Sequence, residues 1–250
     1  MSASVEDHVL ARIDAAPIHR LPSPHFYLED VFPDDYYREL RAMLPDDDRY
    51  TCLGDTGRVP QGSYRERFVF VPDANSIDKL PSAQRAFWSE FAAWFTGKRF
   101  LQAMVSKYPK AVATRFADQP RDIKLFPESI LVRDRSGYSI GPHTDAPHRF
   151  VTMLFYCPPD ASQEHLGTSI FVPKERGFTS EGGPHYEFDK FVNVETMRYR
   201  PNSLFCFLNT NACFHGVEAI TDQDVARDII LYLVRIDGPT VPLKGVGNYS

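Results

Sequence analysis

The sequence predicts a mainly β protein, a sandwich or barrel of short strands supported by helices. Beyond Pro120, short apolar runs alternate with turn residues, a pattern typical of antiparallel sheets. These runs cover residues 123–133, 150–157, 168–173, 190–198, 203–208, 213–220 and 227–236. A chain of 250 residues can form one domain of this kind. We therefore expect a single domain over 1–250, with a helix-rich N-terminal support at 1–115 and a β core at 116–240.

The elements of the N-terminal region are predicted from local signals. Residues 1–24 end in Leu21-Pro-Ser-Pro24 and are expected to form an extended arm or a first strand. Proline is favoured in the first turn of a helix and ends a helix elsewhere. Pro33 and Pro45 therefore mark the beginning and the end of one predicted helix. The elements predicted after the arm are a strand at 26–28, a helix at 33–44, a loop at 46–62 and a strand at 67–71.

A second helical region is predicted from Ser82 to Tyr108 by the spacing of its aromatic residues. Aromatic side chains three and four positions apart lie on one face of a helix. They are Phe87, Trp88, Phe91, Trp94 and Phe95. We interpret this face as part of the hydrophobic core rather than as a cofactor site.

Charge and cysteine content limit the classes of partner and compartment. The net charge of −5 and the scattered basic residues argue against a nucleic-acid surface or an anionic membrane surface. The four cysteines have no CxxC spacing, and we expect buried, reduced thiols; they are Cys52, Cys157, Cys206 and Cys213. The sequence has no signal-peptide pattern at its N-terminus and no apolar run of about 18 residues. The expectation is a soluble, cytoplasmic protein.

The segment 139–147 contains the strongest chemical signal in the chain. In Ser-Ile-Gly-Pro-His143-Thr-Asp145, the imidazole and the carboxylate are two positions apart, so both leave the same face of an extended strand. A remote histidine, His215 in Phe-His-Gly-Val, completes a 2-His-1-carboxylate set that suits non-haem Fe(II) with open coordination positions. Arg227, twelve positions after His215, is a candidate anion-binding group. His143, Asp145 and His215 are therefore the predicted metal ligands.

These motifs resemble those of the 2-oxoglutarate- and Fe(II)-dependent dioxygenases, in particular prolyl-hydroxylase-like or phytanoyl-type members. The resemblance extends from Tyr138 to about Val234, and the N-terminal half carries no matching motif. The matching stretches are 138–145, 166–171, 201–207, 214–217 and 227–231. The resemblance implies a double-stranded β-helix (jelly-roll, cupin-like) catalytic core. It also implies Fe(II) as the metal and 2-oxoglutarate as co-substrate.

By this resemblance, Arg227 binds the distal carboxylate of 2-oxoglutarate. Many family members carry Ser or Thr two residues after this arginine, whereas this chain has Ile229. Tyr138 is our candidate for the missing hydroxyl, with plain core packing as the alternative for Tyr138. For Arg227, the alternative is a surface salt bridge with Asp228 or Asp224.

Several other positions near the predicted pocket remain open at this stage. Either Thr168 or Ser169 faces the pocket, and strand parity does not decide which. Residues 174–188 are either a disordered insertion or a lid hinged at Gly182-Gly183. His148 is interpreted as a residue of the pocket mouth. Three arginines near that mouth are expected to favour an anionic substrate: Arg133, Arg135 and Arg149.

The function predicted from these observations is hydroxylation of a small-molecule, saccharide or peptidyl substrate by O2. Succinate and CO2 would be released from 2-oxoglutarate. One alternative is a cupin-like metalloenzyme that does not use 2-oxoglutarate. Another is a non-catalytic jelly-roll binding module. The sequence leaves open the substrate, and also whether the N-terminal helices form a homodimer interface.

Overall fold

The computed structural model describes residues 4–116, 123–238 and 242–244, which contain two antiparallel sheets and a layer of helices. The strands are β1 (His25–Glu29), β2 (Thr51–Cys52), β3 (Arg67–Phe70), β4 (Lys124–Asp134), β5 (Ile140–His143), β6 (Arg149–Tyr156), β7 (Thr168–Pro173), β8 (Phe191–Met197), β9 (Ser203–Leu208), β10 (Phe214–Val217) and β11 (Arg227–Asp237). The α-helices are α1 (Val5–Ala15), α2 (Asp34–Ala42), α3 (Ala74–Ile77), α4 (Ser82–Phe95), α5 (Lys98–Ser106) and α6 (Pro109–Phe116). Short 3-10 helices lie at Asp47–Arg49, Leu53–Asp55, Ala161–Leu166 and Phe188–Lys190.

The larger sheet has seven strands in the order β1-β9-β6-β11-β4-β3-β2, and the smaller has four in the order β5-β10-β7-β8. All neighbouring strands are antiparallel. The longest pairing joins β11 to β4 and begins at Arg227 opposite Asp134. The prediction of a mainly β protein with supporting helices is confirmed.

Alternation along β11 separates two hydrophobic layers, because successive side chains of a strand point to opposite faces of its sheet. Ile230 and Tyr232 pack in the core shared with the helices. Ile229 and Leu231 belong to the second core, whose other members come from both sheets. The interior space that holds the candidate site therefore lies between the two sheets, and the helices cover the outer face of the larger one.

The aromatic face of α4 is the centre of the helical layer, as the sequence predicted. Phe95 is fully buried, and its ring centroid lies 5.2 Å from that of Phe155 and 5.1 Å from that of Tyr232. The helical region predicted at 82–108 is two helices, because α4 ends at Phe95 and α5 begins at Lys98 after Gly97. Glycine has low helix propensity, which accounts for a break at this point.

The N-terminal region differs from the prediction at its start. Residues predicted as an arm form α1, which begins with a capping box: the Ser4 hydroxyl accepts from the Asp7 amide, and the Asp7 carboxylate accepts from the Ser4 amide. Val9 and Ile13, one helical turn apart, are buried against the core. The arm prediction was wrong because this Ser-x-x-Asp signal and the apolar pair were overlooked.

Residues 25–70 contribute strands as well as helices to the fold. Strand β1 pairs with β9 at one edge of the larger sheet, and β3 pairs with β4 near the other edge. These pairings join the helix-rich region to the β core within one sheet. We accordingly propose that the chain acts as a single domain.

All four cysteines lie in described residues and are free thiols, three of them buried. This outcome agrees with the expectation of reduced cysteines. None of the helices in the described part of the chain is long and apolar enough to cross a membrane.

We predict that Phe95→Ala lowers the free energy of unfolding by about 3–5 kcal/mol, because it leaves a cavity between α4 and the larger sheet. Urea unfolding followed by circular dichroism measures this change. Glu90→Ala, on the exposed side of the same helix, is the matched control and is expected to change stability by less than about 0.5 kcal/mol. Equal effects of the two substitutions would contradict the assignment of the helical core.

Candidate metal centre

Two histidines meet through the pairing of β5 with β10. His143 and His215 are direct partners across these strands, and their ring centroids are 4.3 Å apart. Strand β5 ends at His143, so Asp145 lies just beyond the strand rather than within it. One ligand atom from each of His143, Asp145 and His215 nevertheless lies within 4.8 Å of the others, and all three residues are buried. This set could hold a metal ion.

Backbone carbonyls orient both imidazoles. His143 Nδ1 donates to the carbonyl of Gly141 at 2.9 Å, and His215 Nδ1 donates to that of Cys213 at 3.1 Å. With Nδ1 as the donor, the lone pair is on Nε2, which is the form that binds a metal. Burial lowers the pKa of His143 well below its usual value, and burial also lowers that of His215. Both rings are thus neutral at pH 7 and available as ligands.

Asp145 is held as a carboxylate by two side chains. Its Oδ1 accepts from Arg149 Nη1 at 2.6 Å, and its Oδ2 accepts from the Thr152 hydroxyl at 2.6 Å. Burial by itself raises the pKa of Asp145, but Arg149, the two histidines and Thr152 together hold it below its usual range. A carboxylate offers about four lone-pair sites, so both oxygens keep acceptor capacity for a metal. The donor set fits a divalent ion such as Fe(II).

The loop predicted at 174–188 lies against these ligands. Tyr186 N donates to the Pro142 carbonyl at 2.9 Å, which fixes the loop to β5. Gly182 has φ of +92°, and a Cβ at this position would lie 2.5 Å from the Asp145 carbonyl oxygen, so only glycine permits this approach. His185 then reaches the site, with its ring centroid 4.6 Å from that of His143. The Tyr64 hydroxyl lies 3.0 Å from His185 Nδ1.

The triad opens into a cavity of about 1020 Å³ between the sheets. Among the described residues that line it, five are arginines and one is a carboxylate, Asp145. The arginines are Arg58, Arg67, Arg149, Arg227 and Arg235. His148 also lines the cavity, and its position at the mouth stays a prediction. The cavity lining therefore has more guanidinium groups than carboxylates.

Arg227 lies at one end of this cavity and is fully buried. Its Nη1 donates to Asp134 at 2.7 Å, its Nη2 to the Thr168 hydroxyl at 3.0 Å and its Nε to the Leu166 carbonyl at 2.5 Å. The alternative of a surface salt bridge with Asp228 or Asp224 was wrong. Asp134 also accepts from Arg67, at 2.6 Å and 2.9 Å, so two guanidinium groups share one buried carboxylate. We call Arg67 and Arg227 the inner arginine pair, and Asp134 the inner carboxylate.

Tyr138 lies beside this group. It is 1% exposed, and the Arg67 guanidinium carbon is 4.1 Å from its ring centroid. Its hydroxyl is buried with no hydrogen-bond partner among the residues that the structure describes. Burial raises the pKa of Tyr138, so the hydroxyl keeps its proton and is a donor. A buried, unpartnered donor on a cavity wall is costly unless a ligand accepts from it.

The structure also decides the strand parity that the sequence left open. Thr168 lines the cavity, whereas the Ser169 hydroxyl is within 2.8 Å of the Thr196 hydroxyl on the neighbouring strand β8. Ile229 lines the cavity two residues after Arg227. The position where the resembled family often has Ser or Thr is thus apolar here, and Thr168 is the hydroxyl bonded to Arg227.

No protein-family model matches the sequence, and no curated protein matches it. The structure, however, is similar to solved prolyl 4-hydroxylases. For an enzyme from Phytophthora capsici, the identity is 15% and the TM-score 0.56, over 94% of this chain and 67% of that one. For a Pseudomonas putida enzyme, the values are 13% and 0.51, over 91% of this chain and 98% of that one.

The chain has the fold of the prolyl 4-hydroxylases. The two antiparallel sheets form the double-stranded β-helix, so the jelly-roll prediction is confirmed. The likeness concerns architecture alone.

Sequence reasoning missed Arg67 and His185, and it misplaced two arginines. Arg133 and Arg135 were expected at the pocket mouth, but both bind Asp47, and Arg133 also binds Asp228, away from the cavity. Only Arg149 of the three lines the cavity. No local signal in the sequence identifies Arg67, since its partner Asp134 is 67 positions away.

We predict that Asp134→Asn lowers the free energy of unfolding by about 3–5 kcal/mol, because it leaves the fully buried Arg227 and the half-buried Arg67 without their shared carboxylate. Asp47→Asn is the matched control: this carboxylate also binds two arginines, but its side chain is 67% exposed. Its removal is expected to cost no more than about 1 kcal/mol. Chemical denaturation of both variants measures their free energies of unfolding. Equal decreases in the two variants would contradict a larger stabilising role for Asp134 than for Asp47.

Proposed function

We propose that this protein is an Fe(II)- and 2-oxoglutarate-dependent oxygenase that hydroxylates a small-molecule, saccharide or peptidyl substrate. The observation that carries the proposal is that the buried His143, Asp145 and His215 set faces the same cavity as the inner arginine pair. A metal able to bind a keto acid and a group able to bind its distal carboxylate thus share one space. The fold of prolyl 4-hydroxylases supports the proposal at the level of architecture.

His143, Asp145 and His215 would hold the Fe(II). Three protein ligands leave coordination positions for other molecules, as in non-haem Fe(II) oxygenases. The carbonyl partners of the two imidazoles and the Arg149 and Thr152 contacts of Asp145 would fix the ligands before metal binding. Preorganisation of this kind is the protein's contribution to metal chemistry.

Arg227 and Arg67 would attract the distal carboxylate of 2-oxoglutarate. Among the described residues, Asp134 is the one carboxylate that offsets their two positive charges, so one unit of positive charge remains for an incoming anion. Arg227 uses three of its five N–H donors on described residues, which leaves donors for a carboxylate. The Tyr138 hydroxyl would supply the further hydrogen bond that Ile229 cannot. This role for Tyr138 explains why its hydroxyl lacks a partner within the described protein.

Bound Fe(II) and O2 would couple oxidative decarboxylation of 2-oxoglutarate, to succinate and CO2, to hydroxylation of a substrate C–H bond. The protein's own residues would orient the reactants and exclude water. The loop that carries His185 and Gly182 covers the ligands from one side, which suits it to shield the site. His185, in contact with His143, is placed to touch whatever occupies the cavity.

One observation favours a second candidate, a cupin-like metalloenzyme that does not use 2-oxoglutarate. Arg227 already binds Asp134, Thr168 and the Leu166 carbonyl, so a structural role for Arg227 is self-consistent. The unpartnered Tyr138 hydroxyl and the excess guanidinium group favour the first proposal. The four free thiols are our basis for proposing a reducing compartment such as the cytoplasm.

We predict that anaerobic titration of the Fe(II)-loaded protein with 2-oxoglutarate produces a weak metal-to-ligand charge-transfer band in the visible spectrum. His215→Ala should lose the band because it removes a metal ligand, whereas His165→Ala, at an exposed histidine outside the site, should keep it. Tyr138→Phe should raise the 2-oxoglutarate concentration for half-saturation by about tenfold, the effect of losing one hydrogen bond to a charged group.

Tyr50→Phe is the matched control for the tyrosine variant. The Tyr50 hydroxyl is likewise buried without a described partner, but it does not line the cavity. Its removal should leave 2-oxoglutarate binding unchanged. Iron binding without a band in the wild-type protein would eliminate 2-oxoglutarate as co-substrate and favour the cupin-like candidate.

A further inference from the structure

A second group of arginines lies at the opposite end of β11 from Arg227. Arg235 is eight residues beyond Arg227 on this strand, a distance of about 26 Å along an extended chain. Arg235, Arg149 and Arg58 all line the same cavity, and we call them the mouth arginines. A five-carbon diacid such as 2-oxoglutarate is too short to reach both ends. The mouth arginines are therefore available for a different ligand.

The mouth arginines carry more charge than their partners neutralise. Glu128 accepts from Arg58 at 2.8 Å and from Arg235 at 2.8 Å, and Arg149 binds Asp145 at 2.6 Å. Within the part of the chain that the structure describes, three guanidinium groups thus share two carboxylates, one of which is a candidate metal ligand. A bound divalent metal would draw on Asp145 and increase the positive charge further.

The backbone places two of these arginines side by side. Arg149 on β6 and Arg235 on β11 are direct cross-strand partners. Like charges in this position destabilise a sheet, unless an anion lies between or above them. Their side chains are 32% and 27% exposed, so an anion could reach both from the cavity.

Both arginines also have an unused donor. The Nε atoms of Arg149 and Arg235 are buried and have no hydrogen-bond partner among the described residues. The planar fork of a guanidinium group matches the oxygens of a carboxylate or phosphate. His148, which precedes Arg149, has its pKa lowered by burial and then by Arg235 and Arg149, in keeping with a local excess of positive charge.

We propose that the mouth arginines bind an oxyanion, a carboxylate or a phosphate, carried by a small-molecule substrate. The anion accepts from Arg149 and Arg235, with Arg58 adding charge from the far side of Glu128. The cavity of about 1020 Å³ is at the upper end of the range for small-molecule sites, so it has room for a substrate beside the co-substrate. The identification of this anion as the substrate's rests on the proposed function.

The test is isothermal titration calorimetry of the full chain with phenyl phosphate, benzoate and neutral benzamide, in saturating 2-oxoglutarate. We expect at least one of the two anions to bind, with an affinity at least tenfold higher than that of benzamide. The anion that binds more tightly shows whether the site prefers a phosphate or a carboxylate. Arg235→Gln should weaken anion binding by about tenfold, the effect of losing one charge-assisted hydrogen bond. Arg58→Gln should weaken it less, because Arg58 adds only charge.

Arg135→Gln is the matched control, since its side chain is 34% exposed and bound to one aspartate, but lies outside the cavity. It should leave anion binding unchanged, and thermal melting of each variant verifies that it is folded. The proposal is wrong if neither anion binds better than benzamide, or if Arg235→Gln and Arg135→Gln have equal effects. It is also wrong if 2-oxoglutarate abolishes anion binding, because the anion then occupies the Arg227 end.

The charge-transfer titration separates this proposal from the proposed function. If wild-type protein shows the 2-oxoglutarate band but no Arg235-dependent anion binding, only the mouth site fails. If it shows Arg235-dependent anion binding but no band, the oxygenase proposal fails, and the mouth arginines remain an anion site of another kind.

Discussion

The pairing of β10 between β5 and β7 is the constraint on which the rest of the site depends. His215 is opposite His143 on one side and opposite Ile170 on the other, so hydrogen bonds from two neighbours fix its register. A slip of one residue would turn an imidazole to the other face of the sheet. The convergence of the two histidines is therefore a property of the fold. Asp145 lies beyond β5, and contacts with Arg149, Thr152 and the loop at Gly182 hold it beside the histidines.

The second organising feature is a carboxylate shared between two cavity arginines at each end of β11, buried in the case of Asp134 and half-buried in the case of Glu128. Asp134 lies behind Arg67 and Arg227, and Glu128 lies behind Arg58 and Arg235. Asp134 makes burial of the Arg227 guanidinium group tolerable, and each carboxylate, shared by two arginines, leaves a net positive charge at its end of the cavity. Because β11 carries Arg227 and Arg235 at its two ends, the charge is divided into two regions. This arrangement suits two anionic ligands, each bound at its own end.

The sequence predicted those parts of the site whose signals are local. His143 and Asp145 are two residues apart, Arg227 follows His215 closely, and the strand runs set the fold class. It could not predict the inner carboxylate, because Arg67 and Asp134 meet only through the pairing of β3 with β4. His185 was equally hidden, since its approach to His143 depends on how a long loop docks. The α1 error was different in kind, because the Ser4 and Asp7 capping box is a local signal that was available.

The most direct test of the account is a crystal structure of the protein grown anaerobically with Fe(II) and 2-oxoglutarate, with anomalous data collected at the iron edge. The account predicts one strong anomalous peak bonded to His143 Nε2, His215 Nε2 and an Asp145 oxygen. It also predicts the distal carboxylate of 2-oxoglutarate at Arg227, Arg67 and the Tyr138 hydroxyl. A peak elsewhere, no peak at all, or a co-substrate carboxylate at Arg149 and Arg235 would contradict the assignment of the two ends of the cavity.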